Sequence, residues 1–169
     1  YPEVESTVRI LSQEGFNTDL VDHGNAIVIS LEDHGGQRRA FKEEKVAYAD
    51  PNLFTFFTIP LVYGQPDQVL NGANYVVLSQ SIAEKYFGKW QDAIGQFLKI
   101  DNNATLMVKG IIDNTPANSD FPIRIVSSYL SLKNNPGQYF YQPDWNNLSS
   151  SFQVYMRLAK NVSSSTVDR

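Results

Sequence analysis

His23 and His34 are the chain's whole supply of imidazole, the side chain best suited to proton transfer near neutral pH. Neither sits in an H-E-x-x-H arrangement, and His34 opens the glycine turn His34-Gly35-Gly36-Gln37, so both read as surface histidines. Acid and base work by two carboxylates needs groups held in unlike environments. The adjacent pairs Glu32-Asp33 and Glu43-Glu44 point to opposite faces of a strand and read as the solvated edges of a hairpin. Asp101-Asn102-Asn103 begins like a calcium loop, but the spaced ligands and the closing Glu are missing, and a turn explains it. No G-x-S-x-G elbow, phosphate-binding G-x-x-x-x-G-K-[ST] loop or G-x-G-x-x-G fingerprint occurs. The absence of cysteine excludes thiol catalysis, disulfides and thiolate metal sites. The sequence thus assigns no catalytic, cofactor-binding or metal-binding residue, and a non-enzymatic chain without a cofactor is expected.

One cluster has the chemistry of contact. Tyr139, Phe140, Tyr141 and Trp145 concentrate aromatics in an irregular segment beside Pro136 and Pro143. Exposed aromatics bury large area at low entropic cost, which suits partner or substrate contact; the alternative is that they cover a core edge.

The elements that would position these groups follow from composition and pattern. At 169 residues with 42% hydrophobic and 19% charged side chains, the chain is of one-domain size and can bury a core. A net charge of −4 without clustered Lys and Arg excludes a sequence-independent phosphate-binding surface, so nucleic acid is not an expected partner. Pro2, Glu3 and Glu5, with Val4, Val8 and Leu11 at helical spacing and Gly15 behind them, predict a helix. Residues 26–31 and 38–49 predict two strands of a hairpin, and 51–57 a short helix capped by Asp50 that buries Leu53, Phe54, Phe56 and Phe57. The apolar run 75–78 predicts a strand covered on both faces. A helix follows, capped by Ser79 or by Ser81 with Glu84, striped by Ile82, Ala83, Tyr86 and Phe87 and stopped by Gly88. Residues 97–100 and 105–112 predict a hairpin around the 101–103 turn, 123–132 a strand entering a turn, and 152–158 a strand burying Phe152, Val154, Met156 and Leu158. The fold class expected is α+β, with mixed sheets, β-hairpins and short packed helices in one or two lobes.

Four blocks between residues 49 and 121 carry a resemblance. Asp50, Pro51, Asn52, Phe54, Phe57, Pro60, Leu61 and Gly64 follow a D-P-N-F-F-x-x-F-x-x-P-L-x-x-G pattern, with Leu53 in place of the first aromatic. Val76-Val77-Leu78-Ser79, Ala83 and Lys85-Tyr86-Phe87-Gly88 form the second block; Ile94-Gly95, Leu98 and Ile100 form the third, where Ala93 and Gln96 replace Pro and Lys. Val108, Gly110, Ile111, Ile112, Asp113, Pro116, Asn118 and Ser119 form the fourth, with Asp120 replacing His before Phe121. In that order the blocks resemble the extracytoplasmic core domain of MacB/FtsX-type ABC transporter permeases, as found in Bacteroidetes-like bacteria. The resemblance implies that residues 1–169 form one such domain at the periplasmic face of the bacterial inner membrane, a fragment of a longer, membrane-embedded permease. It implies as partners a cytoplasmic ABC ATPase subunit, a second permease copy and other envelope proteins, with ATP hydrolysis on a separate subunit or domain. The domain would couple transmembrane motion to export or to activation of envelope proteins; the alternative is a free-standing extracytoplasmic ligand-binding or sensor domain. Every matched residue reads as a cap, turn, stripe or stop.

The double substitution Tyr139→Ser/Tyr141→Ser separates the two readings of the aromatic cluster. A contact role predicts loss of transport by the parent protein at unchanged melting temperature, and a core-edge role predicts a lowered melting temperature of the chain.

Overall fold

A computed structural model describes residues 3–14, 27–32, 36–43, 45–115, 123–137, 151–160 and 162. In chain order the elements are β1 (Val4–Glu14), β2 (Ile27–Glu32), β3 (Arg38–Glu43), β4 (Lys45–Ala49), α1 (Leu53–Phe56), β5 (Leu61–Tyr63), β6 (Tyr75–Ser79) and α2 (Gln80–Phe87). After a 3₁₀ turn at Trp90–Ala93 come β7 (Phe97–Ile100), β8 (Ala104–Ile112), β9 (Ile125–Ser128), α3 (Tyr129–Asn134) and β10 (Phe152–Leu158). The strands form one sheet in the order β10-β1-β4-β9-β6-β8-β7-β2-β3, with β5 added to β8. The β4–β9 and β6–β8 pairs are parallel and the others antiparallel, so the sheet is mixed, as the α+β class requires.

The sheet has a core on each face, because several strands bury successive residues. In β6, Val76 and Leu78 enter a first core with Ile82, Ala83 and Tyr86 of α2, while Val77 enters a second with Leu53 and Phe54 of α1 and with Val69 and Leu70. Such two-sided burial is what an uninterrupted apolar strand demands. A one-residue irregularity at Lys109 keeps β8 in step: Val76 aligns with Val108 and Val77 with Gly110. The inserted residue shifts the alternation, so Leu106, Val108 and then Ile111 face the first core, and Ile112 the second. Val69 fits between two glycines, since a Cβ at Gly64 or Gly110 would lie 2.4 or 2.8 Å from its Cγ1.

Local chemistry explains the middle of the chain. Ser79 caps α2 by accepting from the Ile82 N–H, and Gly88 ends the helix at φ +86°. Asp101 and Asn102 take the positive φ angles of the β7–β8 turn, and the Asp101 carboxylate accepts the Val28 N–H at 2.8 Å.

Elsewhere the structure corrects the sequence. Residues 4–14 are a strand, not a helix: Val8 and Ile10 alternate onto the second core, and pairing with both β4 and β10 outweighs the helical spacing. The single strand expected over 38–49 is two, since β3 pairs with β2 whereas β4 pairs with β1 and β9. Asp50 does not cap α1. Its carboxylate takes the Arg9 N–H and a bidentate guanidinium contact at 2.7–2.9 Å, and the N-cap residue is Asn52, without a side-chain cap bond. Of the four apolar residues of that segment, Leu53 and Phe54 are buried, Phe56 is half-buried and Phe57 is exposed. Within 123–132 only Ile125–Ser128 is strand; Ser128 accepts from the Leu130 N–H and starts α3. In β10 the alternation holds, but Phe152, Val154 and Met156 are exposed, because this is the outermost strand. Tyr155 on its other face packs on the second core, 5.1 Å from the Phe57 ring.

Two substitutions test this packing by urea denaturation. Ser79→Ala should cost about 1 kcal/mol through the lost cap. Gly64→Ala should cost more, about 2 kcal/mol or above, because it combines a φ of +104° with a clash against Val69 and the Lys109 carbonyl.

Candidate functional site

Two places gather polar groups with apolar walls. The first joins the β2–β3 hairpin to α2. Glu43, 6% exposed, accepts from Lys85 Nζ at 2.6 Å and from the Tyr86 hydroxyl at 2.8 Å, while Arg39 donates to the Tyr86 carbonyl at 2.8 Å. Phe41 lies 4.6 Å from the Tyr86 ring. This revises the expectation that Glu43 lies on a solvated edge. The missed signal is its spacing: two residues after Phe41 on a strand, it shares the face that Phe41 turns to the core. Burial first, then the charge of Glu43 and the hydrogen bond to it, push the Tyr86 phenol well above its ordinary range. A phenol held protonated against a paired carboxylate is a structural pin.

The second place is a cleft of about 500 Å³ along β8. β7 pairs with β8 through Met107, and β5 pairs with it from Ile111, which leaves a gap along one edge of the strand. Val62 to Gln65, Gln68 and Val69 form one wall, Ile94 and Gly95 the other, and Val108 and Lys109 the floor. The Gly95 N–H reaches the Val108 carbonyl at 2.9 Å and closes the end of the gap. Lys109 Nζ stands 5.0 Å from the centre of the Tyr75 ring. Amides, one ammonium and apolar walls are groups that bind. No sequence motif marks this cleft, because its walls come from three segments that only the sheet brings together.

The expected contact residues Tyr139, Phe140, Tyr141 and Trp145 lie outside the described residues, as do His23, His34, Asp33 and Glu44. Among the described residues, no group of three His, Cys, Asp or Glu side chains could hold a metal ion, and no helix is long and apolar enough to cross a membrane.

These features define a mixed α+β domain built around one large two-sided sheet with few short helices. The chain belongs to the family of MacB-like periplasmic core domains, whose sequence profile matches residues 2–169. That family consists of extracytoplasmic domains of ABC transporter permeases and is generally non-catalytic. A solved domain described as part of a permease protein from Porphyromonas gingivalis is similar with a TM-score of 0.68 at 21% identity, over 99% of this chain and 61% of that one. The periplasmic region of MacB from Actinobacillus actinomycetemcomitans is similar with a TM-score of 0.63 at 14% identity, over 99% of this chain and 64% of that one. Both likenesses are of fold, and the chain spans less than two thirds of either solved chain. No curated protein matches it.

The Tyr86 pin predicts an alkaline signature. The folded state holds the phenol proton more tightly than the unfolded chain, so its stabilisation is intact below the ordinary phenol pKa of about 10 and is lost as pH rises beyond it. Tyr86→Phe should lower stability at neutral pH by about 1.5–3 kcal/mol. It should also make the loss of stability above pH ~10 shallower, as followed by urea denaturation across that range.

Proposed function

We propose that this chain is the extracytoplasmic domain through which an ABC transporter permease passes the motion of its membrane helices to export or to activation of envelope proteins. ATP is bound and hydrolysed by a cytoplasmic ATPase partner, and a second permease copy completes the assembly. The observation that carries this reading is the family match across residues 2–169. The two cores on one sheet support it, because a domain held on both faces moves as a body and transmits displacement without absorbing it. A change of nucleotide state biases a two-state arrangement of membrane helices, and the domain follows that bias. The chain itself takes no part in the chemistry, and contact through Tyr139, Phe140, Tyr141 and Trp145 is part of the same proposal.

The lack of cysteine makes the test direct on the side of this chain. Spin labels placed at exposed Thr55 and Gln91 report motion within the domain, and a label at Gln91 alone in the reconstituted parent transporter reports distance between two copies. The proposal predicts that the Gln91–Gln91 distance changes between nucleotide-free and ATP-bound transporter while the Thr55–Gln91 distance does not. An unchanged Gln91–Gln91 distance would overturn it.

A further inference from the structure

Strand β4 is shorter than the strand it pairs with. Its ladder with β1 runs only from Ile10 opposite Ala49 to Glu14 opposite Lys45. Residues 4–9 of β1 continue past it, paired on their other edge with residues 154–158 of β10 as a two-stranded ribbon. Such a ribbon is marginal in water, and where β4 stops its inner edge needs partners for its backbone groups. The Asp50-Pro51-Asn52 motif supplies them. The ladder runs on for one backbone bond, from the Asp50 N–H to the Arg9 carbonyl at 3.1 Å, and Pro51 then turns the chain toward α1. From there side chains take the place of the missing strand. A continuing antiparallel ladder would offer the Asp50 carbonyl to the Arg9 N–H and the N–H of residue 52 to the Thr7 carbonyl. Instead the Asp50 carboxylate accepts the Arg9 N–H at 2.8 Å, and Asn52 Nδ2 donates to the Thr7 carbonyl at 2.9 Å.

We propose that Asp50-Pro51-Asn52 is a side-chain extension of the β ladder which, with Arg157, clamps the β1–β10 ribbon to α1 and makes it a stiff strut projecting from the sheet. Both strands are gripped. The Arg9 guanidinium holds the Asp50 carboxylate at 2.7–2.9 Å, a charge-assisted contact stronger than a neutral ladder bond. From β10, Arg157 donates to the Phe56 carbonyl at the C-terminal end of α1, and its guanidinium lies 4.9 Å from the Phe56 ring centre. Val8 of the ribbon is fully buried with Leu53 and Phe54, so the clamp also holds an apolar seat closed. At the ribbon's far end the Ala159 N–H donates to the Glu3 carbonyl at 2.9 Å, which keeps the two strands side by side. On the transport reading proposed above, the strut is where displacement enters the sheet, and that role rests on that reading; the clamp itself does not. A loose ribbon would absorb displacement by bending, and a clamped one passes it to α1 and the second core.

The test is native-state hydrogen exchange of the isotopically labelled 169-residue chain. Val8 and Tyr155 stand opposite each other in the ribbon and make none of the clamp's hydrogen bonds. Asp50→Ala/Asn52→Ala should speed exchange of their amides about tenfold or more while leaving the amides of β6 unchanged. Arg157→Gln should act in the same direction at Tyr155. Spin labels at exposed Met156 and Gln91 should report one narrow distance in the unmodified chain and a broadened one in the double variant. Should the double variant fail to fold, Asn52→Ala alone, which removes one hydrogen bond, carries the same comparison. Unchanged exchange in the ribbon of a folded variant, or an equal acceleration in β6, would overturn the proposal. These measurements use the chain alone, so their failure leaves the transport reading standing, and that reading fails separately at the Gln91–Gln91 distance.

Discussion

Strand β6 has no polar face to give to water. Val76, Val77 and Leu78 follow one another and are all fully buried, so the strand must be covered on both sides. The rest of the structure meets that demand. On one side α2 lays Ile82, Ala83 and Tyr86 against the sheet; on the other α1 and the segment holding Val69 and Leu70 close over Val77. The neighbouring strand β8 accommodates both cores by the irregularity at Lys109, which hands Ile111 to one and Ile112 to the other. Gly64 and Gly110 exist in that arrangement because Val69 leaves no room for a Cβ.

The same constraint sets what could be read in advance. The run from Tyr75 to Leu78, the Ser79 cap, the Gly88 stop and the β7–β8 hairpin are determined by residues close in sequence, and each forms where the sequence places it. Strand β1 is different. Val4, Val8 and Leu11 satisfy helical spacing while Val8 and Ile10 satisfy strand alternation, and the choice falls to partners at residues 45–49 and 152–158. Alternation in β10 distinguishes two faces without saying which is covered, and the larger apolar set turned out to lie on the open one. Asp50 illustrates a local rule displaced by a distant partner: it has the type and position of a cap, yet the Arg9 guanidinium, itself 4.3 Å from the Tyr129 ring centre, binds it more strongly.

The candidate site was less legible than the fold for a related reason. Glu43 and Lys85 lie 42 positions apart, and nothing in either neighbourhood announces the pairing. The cleft is a gap between two strands that share one edge of β8, so it belongs to the pairing pattern and to no motif. Among the described residues of the four blocks, Ser79 caps α2, Gly88 ends it, and Leu53, Phe54, Val76, Val77 and Leu78 lie in the cores, which are roles in the fold and carry no information on cargo.

The central claim is that β6 and its neighbours hold both cores as one cooperative body. Native-state hydrogen exchange of the chain measures this directly. The account predicts that amides of β6, β9 and the 106–112 stretch of β8 exchange only by global unfolding, with opening free energies equal to the unfolding free energy from urea denaturation. Exchange of β6 amides through a local opening well below that value, while the β2–β3 hairpin stays protected, would contradict it.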